Sequence, residues 1–249
     1  MKVVTIVGAR PNFIKAALVS LELEKNGIKE FMVHTGQHYD VGLSDQIFND
    51  LKIKTPDVNL GIGSGSHAYQ TGKILMEIEK ILITQKPNVV VVYGDTNSTL
   101  AGALAAVKLK MSVVHVEAGE RSFDKSMPEE INRIICGHIS VINCCATKIG
   151  VDNLKKEGVT NGVFWTGDVM LDLMKKFIRL AKPPVAKLPP KFILVTLHRA
   201  ENTDSKIKLS KIISALSKVD FPLVWPLHPR TKKMITEFGI KFPYQATVL

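Results

Sequence analysis

Short apolar runs that do not alternate with polar residues punctuate the first half of the chain: Val3–Val7, Phe31–His34, Val89–Tyr93, Val113–Val116 and Val141–Ala146. Their length suits a strand, and the missing alternation predicts burial on both faces, as in a parallel sheet. Between them, helical periodicity predicts helices over Pro11–Lys25, Gln70–Gln85, Thr96–Lys108 and Pro128–Ile139. Pro11 suits a first helical position, where its missing N–H costs nothing, and Gly27 and Pro87 follow two of these helices as natural stops. Strand and helix in alternation predict an α/β fold with a doubly wound parallel sheet.

A helical segment near Val169–Leu180 leads into Lys182–Pro190, where four prolines in nine residues make a stiff linker. This places an N-terminal Rossmann-like domain over 1–168 and the start of a second over 169–249, with the linker around 182–190. The second part offers a strand at Phe192–Leu197, a helix at Lys206–Lys218 and a strand at Leu223–Leu227. A short helix at Thr231–Phe238 follows, then a strand beginning in Tyr244–Leu249. So few strands bury little surface, so an incomplete second domain is expected.

The net charge of +10 admits nucleic acid, an anionic membrane or phosphorylated small molecules as partners. Basic residues stand singly or in pairs, and 6% aromatic content offers no stacking platform, which argues against nucleic acid. No apolar run approaches the ~18 residues of a membrane span, and the chain enters a strand at once without a signal peptide. Cys136, Cys144 and Cys145 form no disulfide framework and read as small core residues of a cytoplasmic protein.

Two strands stop at acidic residues: Val89–Tyr93 runs into Gly94-Asp95, and Val113–Val116 into Glu117-Ala118-Gly119. In open α/β sheets, ligands bind beyond the carboxyl ends of strands. Asp95 taken alone reads first as a helix N-cap. Glu117 has no such role, and the small residues after it leave room for a ligand. Gly8-Ala9-Arg10-Pro11 with Lys15 forms a strand–turn–helix junction suited either to an anion or to a plain tight turn. Ser126-Met127-Pro128-Glu129 matches a capping box, and Glu130–Arg133 fits a solvent-exposed pair. His198-Arg199 and His228 with Arg230 follow apolar runs at equivalent places in the second part, and suggest anion binding facing an interdomain cleft. Gly61–Ser66 follows no clear strand and reads as a flexible loop.

Taken in order, these pieces resemble the non-hydrolysing UDP-N-acetylglucosamine 2-epimerase family, with an archaeal look. The matching segments are Gly8–Pro11 with Lys15, Thr35–His38, Gly94–Thr96, His115–Gly119, Arg121, Pro128–Arg133 and Thr196–Asn202. The resemblance implies two Rossmann-like doubly wound domains of glycosyltransferase-B type, the second incomplete because this chain lacks the family's Ser-Gly-Gly diphosphate site. It implies an isomerase that interconverts UDP-N-acetylglucosamine and UDP-N-acetylmannosamine by eliminating UDP and adding it back, with no metal and no other cofactor. Asp95, Glu117 and Glu129 are then the acid/base carboxylates, with His198 beside the diphosphate completing the catalytic set. Arg10, Lys15, His38 and Arg121 bind the substrate. The expected partners are a UDP-sugar and a second copy in a homodimer, with neither nucleic acid nor membrane, and the chain alone is expected to be inactive. Asn12 and Asp40 depart from the family pattern, which carries a glutamate and, in bacterial members, a glutamine there. Other readings are a glycosyltransferase-B transferase, which needs an acceptor, and a non-catalytic nucleotide-sugar-binding protein.

Overall fold

The computed structural model describes residues 1–37, 54–181 and 186–249, the side chain of Arg10 excepted. Two compact units emerge, Met1–Leu180 and Ala181–Leu249. The first holds strands β1 (Lys2–Val7), β2 (Lys29–His34), β3 (Val58–Asn59), β4 (Val89–Tyr93), β5 (Ser112–Ala118), β6 (Ile142–Cys145) and β7 (Val163–Trp165). Its helices are α1 (Arg10–Lys25), α2 (His67–Gln85), α3 (Asn97–Lys108), α4 (Pro128–Ile139), α5 (Lys148–Lys156) and α6 (Val169–Phe177). The strands form one parallel sheet in the order β3-β2-β1-β4-β5-β6-β7.

The apolar strand runs are buried because helices cover both faces. On one face Val4, Ile6, Val33, Val90, Val92 and Val113 pack with Ile74, Ile78 and Leu82 of α2 and the alanines of α3. Gly102 lets α3 come close, since a Cβ there would lie 2.6 Å from Ile6 Cδ1. On the other face Val3, Val7, Met32, Val91 and Tyr93 pack with Phe13, Ala16 and Ala17 of α1 and with Leu173 of α6. Helix α6, which the sequence grouped with the second domain, thus packs in the first unit. Each fully buried aliphatic side chain contributes about 1.5–3 kcal/mol by leaving water.

The order runs outward in opposite directions from β1 and β4, so the topological switch point lies between their carboxyl ends, where ligands of open α/β sheets bind. The expected elements form with small shifts. Helix α2 starts at His67 because Ser66 caps it, accepting from Tyr69 N–H. The Gly61–Ser66 stretch is a braced turn following β3, with Ile62 N–H donating to Thr35 O and Gly63 N–H to Gly36 O.

The second unit holds β8 (Ile193–Leu194), β9 (Leu223–Trp225) and β10 (Ala246–Val248), parallel in the order β10-β9-β8. With them come α7 (Ala200–Thr203), α8 (Lys206–Ser217) and α9 (Pro229–Phe238). Val195, Leu209, Ile213, Leu223, Trp225 and Ile235 form its core. It is a three-stranded, Rossmann-like α/β unit.

Candidate active site

At the end of β1 the chain turns sharply through Gly8, where a Cβ would collide with the Ser98 and Thr35 hydroxyls. Asn12, on the first turn of α1, ties this turn to the end of β4. Its Oδ1 accepts from Ala9 N–H at 3.1 Å and from Thr96 Oγ1 at 3.3 Å, and its Nδ2 donates to Tyr93 O at 2.9 Å. Asn12 is buried, and these contacts satisfy its amide within a neutral network. Arg10 is the first residue of α1. His38 and Asp40 lie outside the described residues.

Gly94 follows β4 with φ +65° and is held to β5 from both sides. Its N–H donates to Val116 O at 2.9 Å, and its carbonyl lies 2.7 Å from Nε2 of the fully buried His115. A carbonyl only accepts, so Nε2 carries the proton. Burial pushes the His115 pKa down to about 4, so the ring is neutral near pH 7.

Glu117 sits at an irregularity of β5, where the register with β6 shifts between Val116 and Ala118. Its backbone is left-handed, φ +65°, a rare state for a residue with a side chain. The twist presents its carboxylate to Lys15 of α1, and the two form an ion pair. A Cβ built at Gly94 would lie 3.2 Å from Lys15 Nζ, 3.8 Å from Asn12 Nδ2 and 3.9 Å from Glu117 Oε2, so these groups converge over that turn. The small residues after Glu117 do not leave space for a ligand, contrary to expectation. Ala118 is buried, and a Cβ on Gly119 would collide with the Gly150 backbone of α5.

Asp95 is not the cap of α3. Thr96 is, accepting from Thr99 N–H. Asp95 Oδ2 instead accepts from Arg133 Nε at 3.0 Å and Nη2 at 2.6 Å, while Asn132 Nδ2 donates to its carbonyl at 2.8 Å. Arg133 Nη1 donates to Glu130 Oε2 at 3.1 Å. Glu130 is not the solvent-exposed partner its i,i+3 spacing suggested; it is 1% exposed. It accepts from the backbone N–H groups of Ser122 and Phe123, each at 2.9 Å. Burial works to raise its pKa, but those two N–H groups and Arg133 together hold the carboxyl below the usual range. Glu129 is half-buried on the first turn of α4. The Ser126 capping box does not form: the N-cap is Met127, and the Ser126 hydroxyl donates to Asp124 Oδ1 at 2.6 Å.

Arg121 has all three of its nitrogens engaged. Nε and Nη2 donate to the two Glu157 oxygens at 2.7 and 2.8 Å, and Nη1 to Glu120 O at 2.8 Å. Its side chain is 1% exposed, which makes it a brace between β5 and α5 in this state. In the second unit His198 is exposed, its ring 5.4 Å from that of His228. His228 caps α9 by accepting from Arg230 N–H, and Arg230 pairs with Asp204.

The structure therefore gathers Lys15, Glu117 and Asp95 at the carboxyl edge of β1, β4 and β5, with Glu129 on the helix that carries Arg133. His198 belongs to the other unit, and Arg121 is turned toward Glu157. Sequence reasoning missed the buried relay Glu130–Arg133 and the role of His115. The signal for both was present, since they lie within segments that matched the family motif. Among the described residues no cluster of three or more His, Cys, Asp or Glu is placed to hold a metal, and no helix is long and apolar enough to cross a membrane.

A family model described as UDP-N-acetylglucosamine 2-epimerase matches residues 21–249. A Methanococcus maripaludis protein named UDP-N-acetylglucosamine 2-epimerase homolog is 49% identical over 247 residues, covering 96% of this chain and 69% of that protein. A Pseudomonas aeruginosa protein named UDP-2,3-diacetamido-2,3-dideoxy-D-glucuronate 2-epimerase is 48% identical, covering 98% of this chain and 72% of that protein. The crystal structure of Methanocaldococcus jannaschii UDP-GlcNAc 2-epimerase in complex with UDP-GlcNAc and UDP superposes with a TM-score of 0.90 at 41% identity. That match covers 100% of this chain and 73% of the other.

Proposed function

Because this chain belongs to the UDP-N-acetylglucosamine 2-epimerase family, we propose that it inverts C2 of a UDP-linked 2-acetamido sugar, interconverting UDP-N-acetylglucosamine and UDP-N-acetylmannosamine. The observation that carries this reading is the convergence of Lys15, Glu117 and Asp95 at the switch point of the first sheet.

The C2–H bond is weakly acidic, so its cleavage is coupled to departure of the leaving group. A carboxylate takes the C2 proton, and the C–H pair becomes the C1=C2 double bond. The C1–O bond breaks with its electrons on the β-phosphate of UDP. Return of a proton to the opposite face of C2, with attack of the same phosphate oxygen on C1, completes the inversion. Asp95, Glu117 and Glu129 are proposed as the proton carriers, a role that contributes about 10²–10⁴-fold in rate. Lys15 is proposed to position the Glu117 side chain through their ion pair and to meet negative charge on the substrate. Arg10 and His38 are proposed as further substrate ligands, and His198, beside Arg199, as a ligand for the diphosphate. A cytoplasmic homodimer is part of the same proposal, and light scattering tests its stoichiometry.

A second substrate has specific support in the 48% identical relative named for UDP-2,3-diacetamido-2,3-dideoxy-D-glucuronate. The same C2 chemistry serves both sugars. Each is incubated with the full-length protein in D₂O, and the nucleotide sugars are resolved by chromatography and NMR. The expected product is UDP-N-acetylmannosamine carrying deuterium at C2. Epimerisation with the original C2 hydrogen retained, or turnover only when an acceptor is supplied, overturns the reading. Preference for the glucuronate substrate moves the assignment within the family.

A further inference from the structure

The segment between β5 and α4 carries a feature that the acid/base chemistry does not use. Phe123 adopts φ +60°, a left-handed backbone that side chains rarely tolerate, and the residue is 77% exposed. No large apolar side chain of the first unit is more exposed among the described residues. Strain and exposed apolar surface both cost free energy, so a fold that keeps them together has something holding them in place. That something is Glu130, whose buried carboxylate accepts the N–H groups of Ser122 and Phe123 while pairing with Arg133. Arg133 in turn grips Asp95. One carboxylate and one guanidinium therefore separate the Phe123 backbone from a proposed proton carrier.

The geometry points to Phe123 as the residue that holds the sugar ring, and above all the unsaturated sugar formed when UDP departs. This rests on the epimerase reading. Once C1–O is broken, the 2-acetamido sugar is neutral, flattened by its C1=C2 double bond and no longer tethered to UDP. Lys15, Asp95 and Glu117 are arranged for charge, and a neutral, flat ring gains most from an aromatic face. Phe123 supplies that face on the tethered loop following β5, so the ring stays in place while the proton returns to C2.

The test compares Phe123→Ala and Phe123→Gly with the wild type in the full-length enzyme. Loss of the ring is expected to raise free 2-acetamidoglucal released per epimerisation about tenfold, since a stacked aromatic contact is worth roughly that factor. By calorimetry, UDP-N-acetylglucosamine should bind about tenfold more weakly while UDP itself binds as before. Phe123→Gly should melt at a higher temperature than Phe123→Ala, because only glycine adopts the left-handed turn without strain. Unchanged glucal release, a parallel loss of UDP affinity, or a lower melting temperature for the glycine variant would each overturn the assignment. If the wild type forms no epimer, the epimerase reading itself falls. The difference between sugar-nucleotide and UDP affinities still decides whether Phe123 touches the sugar.

Discussion

His115→Gln should flatten the acid limb of the stability profile. His115 is fully buried on β5, its Nε2–H donating to Gly94 O at 2.7 Å, and its Nδ1 has no hydrogen-bond partner among the described residues. Burial depresses its pKa from 6.5 to about 4. Below pH 6.5 the unfolded chain therefore binds a proton that the folded chain refuses, and stability falls with pH until the folded ring also titrates. The full difference is worth roughly 3 kcal/mol at ~1.36 kcal/mol per tenfold change in proton affinity. About 2 kcal/mol of that is lost between pH ~7.5 and pH ~5. Glutamine keeps an N–H for Gly94 and does not titrate. Urea unfolding of both proteins, followed by circular dichroism across that range, isolates the histidine, because the carboxylates titrate alike in each. The glutamine variant should start at or below wild-type stability near pH 7.5 and gain on it by about 2 kcal/mol near pH 5. Parallel profiles would refute the reasoning, showing that the ring is hydrated or protonated in the folded state.

Asp95→Asn and Glu117→Gln should each lower epimerase turnover by about 10²–10⁴-fold with folding intact by circular dichroism; near-normal turnover in both removes them from the chemistry. Arg121→Ala should destabilise by about 1–3 kcal/mol, because it removes the three hydrogen bonds of a buried guanidinium and leaves Glu157 with only His138, and should leave the KM for the UDP-sugar close to wild type. A large rise in KM at unchanged stability would return Arg121 to substrate binding. Glu130→Gln should cost about 2 kcal/mol near neutral pH in urea unfolding. The Glu130 pKa is depressed by folding, so its contribution is present above the ordinary carboxyl range and fades as pH falls through the folded value. A Glu130→Gln protein with the same acid limb as wild type contradicts that.

The strands at the centre of the first sheet were legible because their environment is uniform. Val89–Tyr93 is buried on both faces, and its sequence is apolar throughout. The edge strands β3 and β7 were not read, since two or three residues carry no period and are defined by their neighbours. Helix α5 left a signal that went unread, a Thr147 cap accepting from Gly150 N–H ahead of a short amphipathic run. At the site, residue types were legible and their partners were not. Asp95 looks like a cap in sequence, and only the fold shows Arg133 reaching it from α4. Glu130 looks like half of a surface pair because spacing carries no information about what covers the helix.

Backbone strain shows why the remainder lay beyond sequence. Glu117 and Phe123, both left-handed and neither a glycine, stand six positions apart on either side of Gly119. Each such residue costs of order 1–3 kcal/mol, and local propensity would select against it. Each is opposed by a charged tether from another element: Lys15 of α1 faces the Glu117 carboxylate, and Glu130 of α4 takes the N–H of Phe123. Those tethers exist only after α1 and α4 have packed on opposite faces of the sheet. The site is thus a product of tertiary structure imposed on a segment that would not adopt it alone. Releasing a tether should free the strained residue before it unfolds the domain. Lys15→Met is the cleanest case, because methionine keeps the stem that lies among buried neighbours and removes only the charge. Hydrogen exchange at the amides of Glu117 and Ala118 should quicken in that variant while the β1 and β4 amides keep their protection. Equal acceleration throughout the sheet would mean that Lys15 supports the whole unit rather than the bend at Glu117.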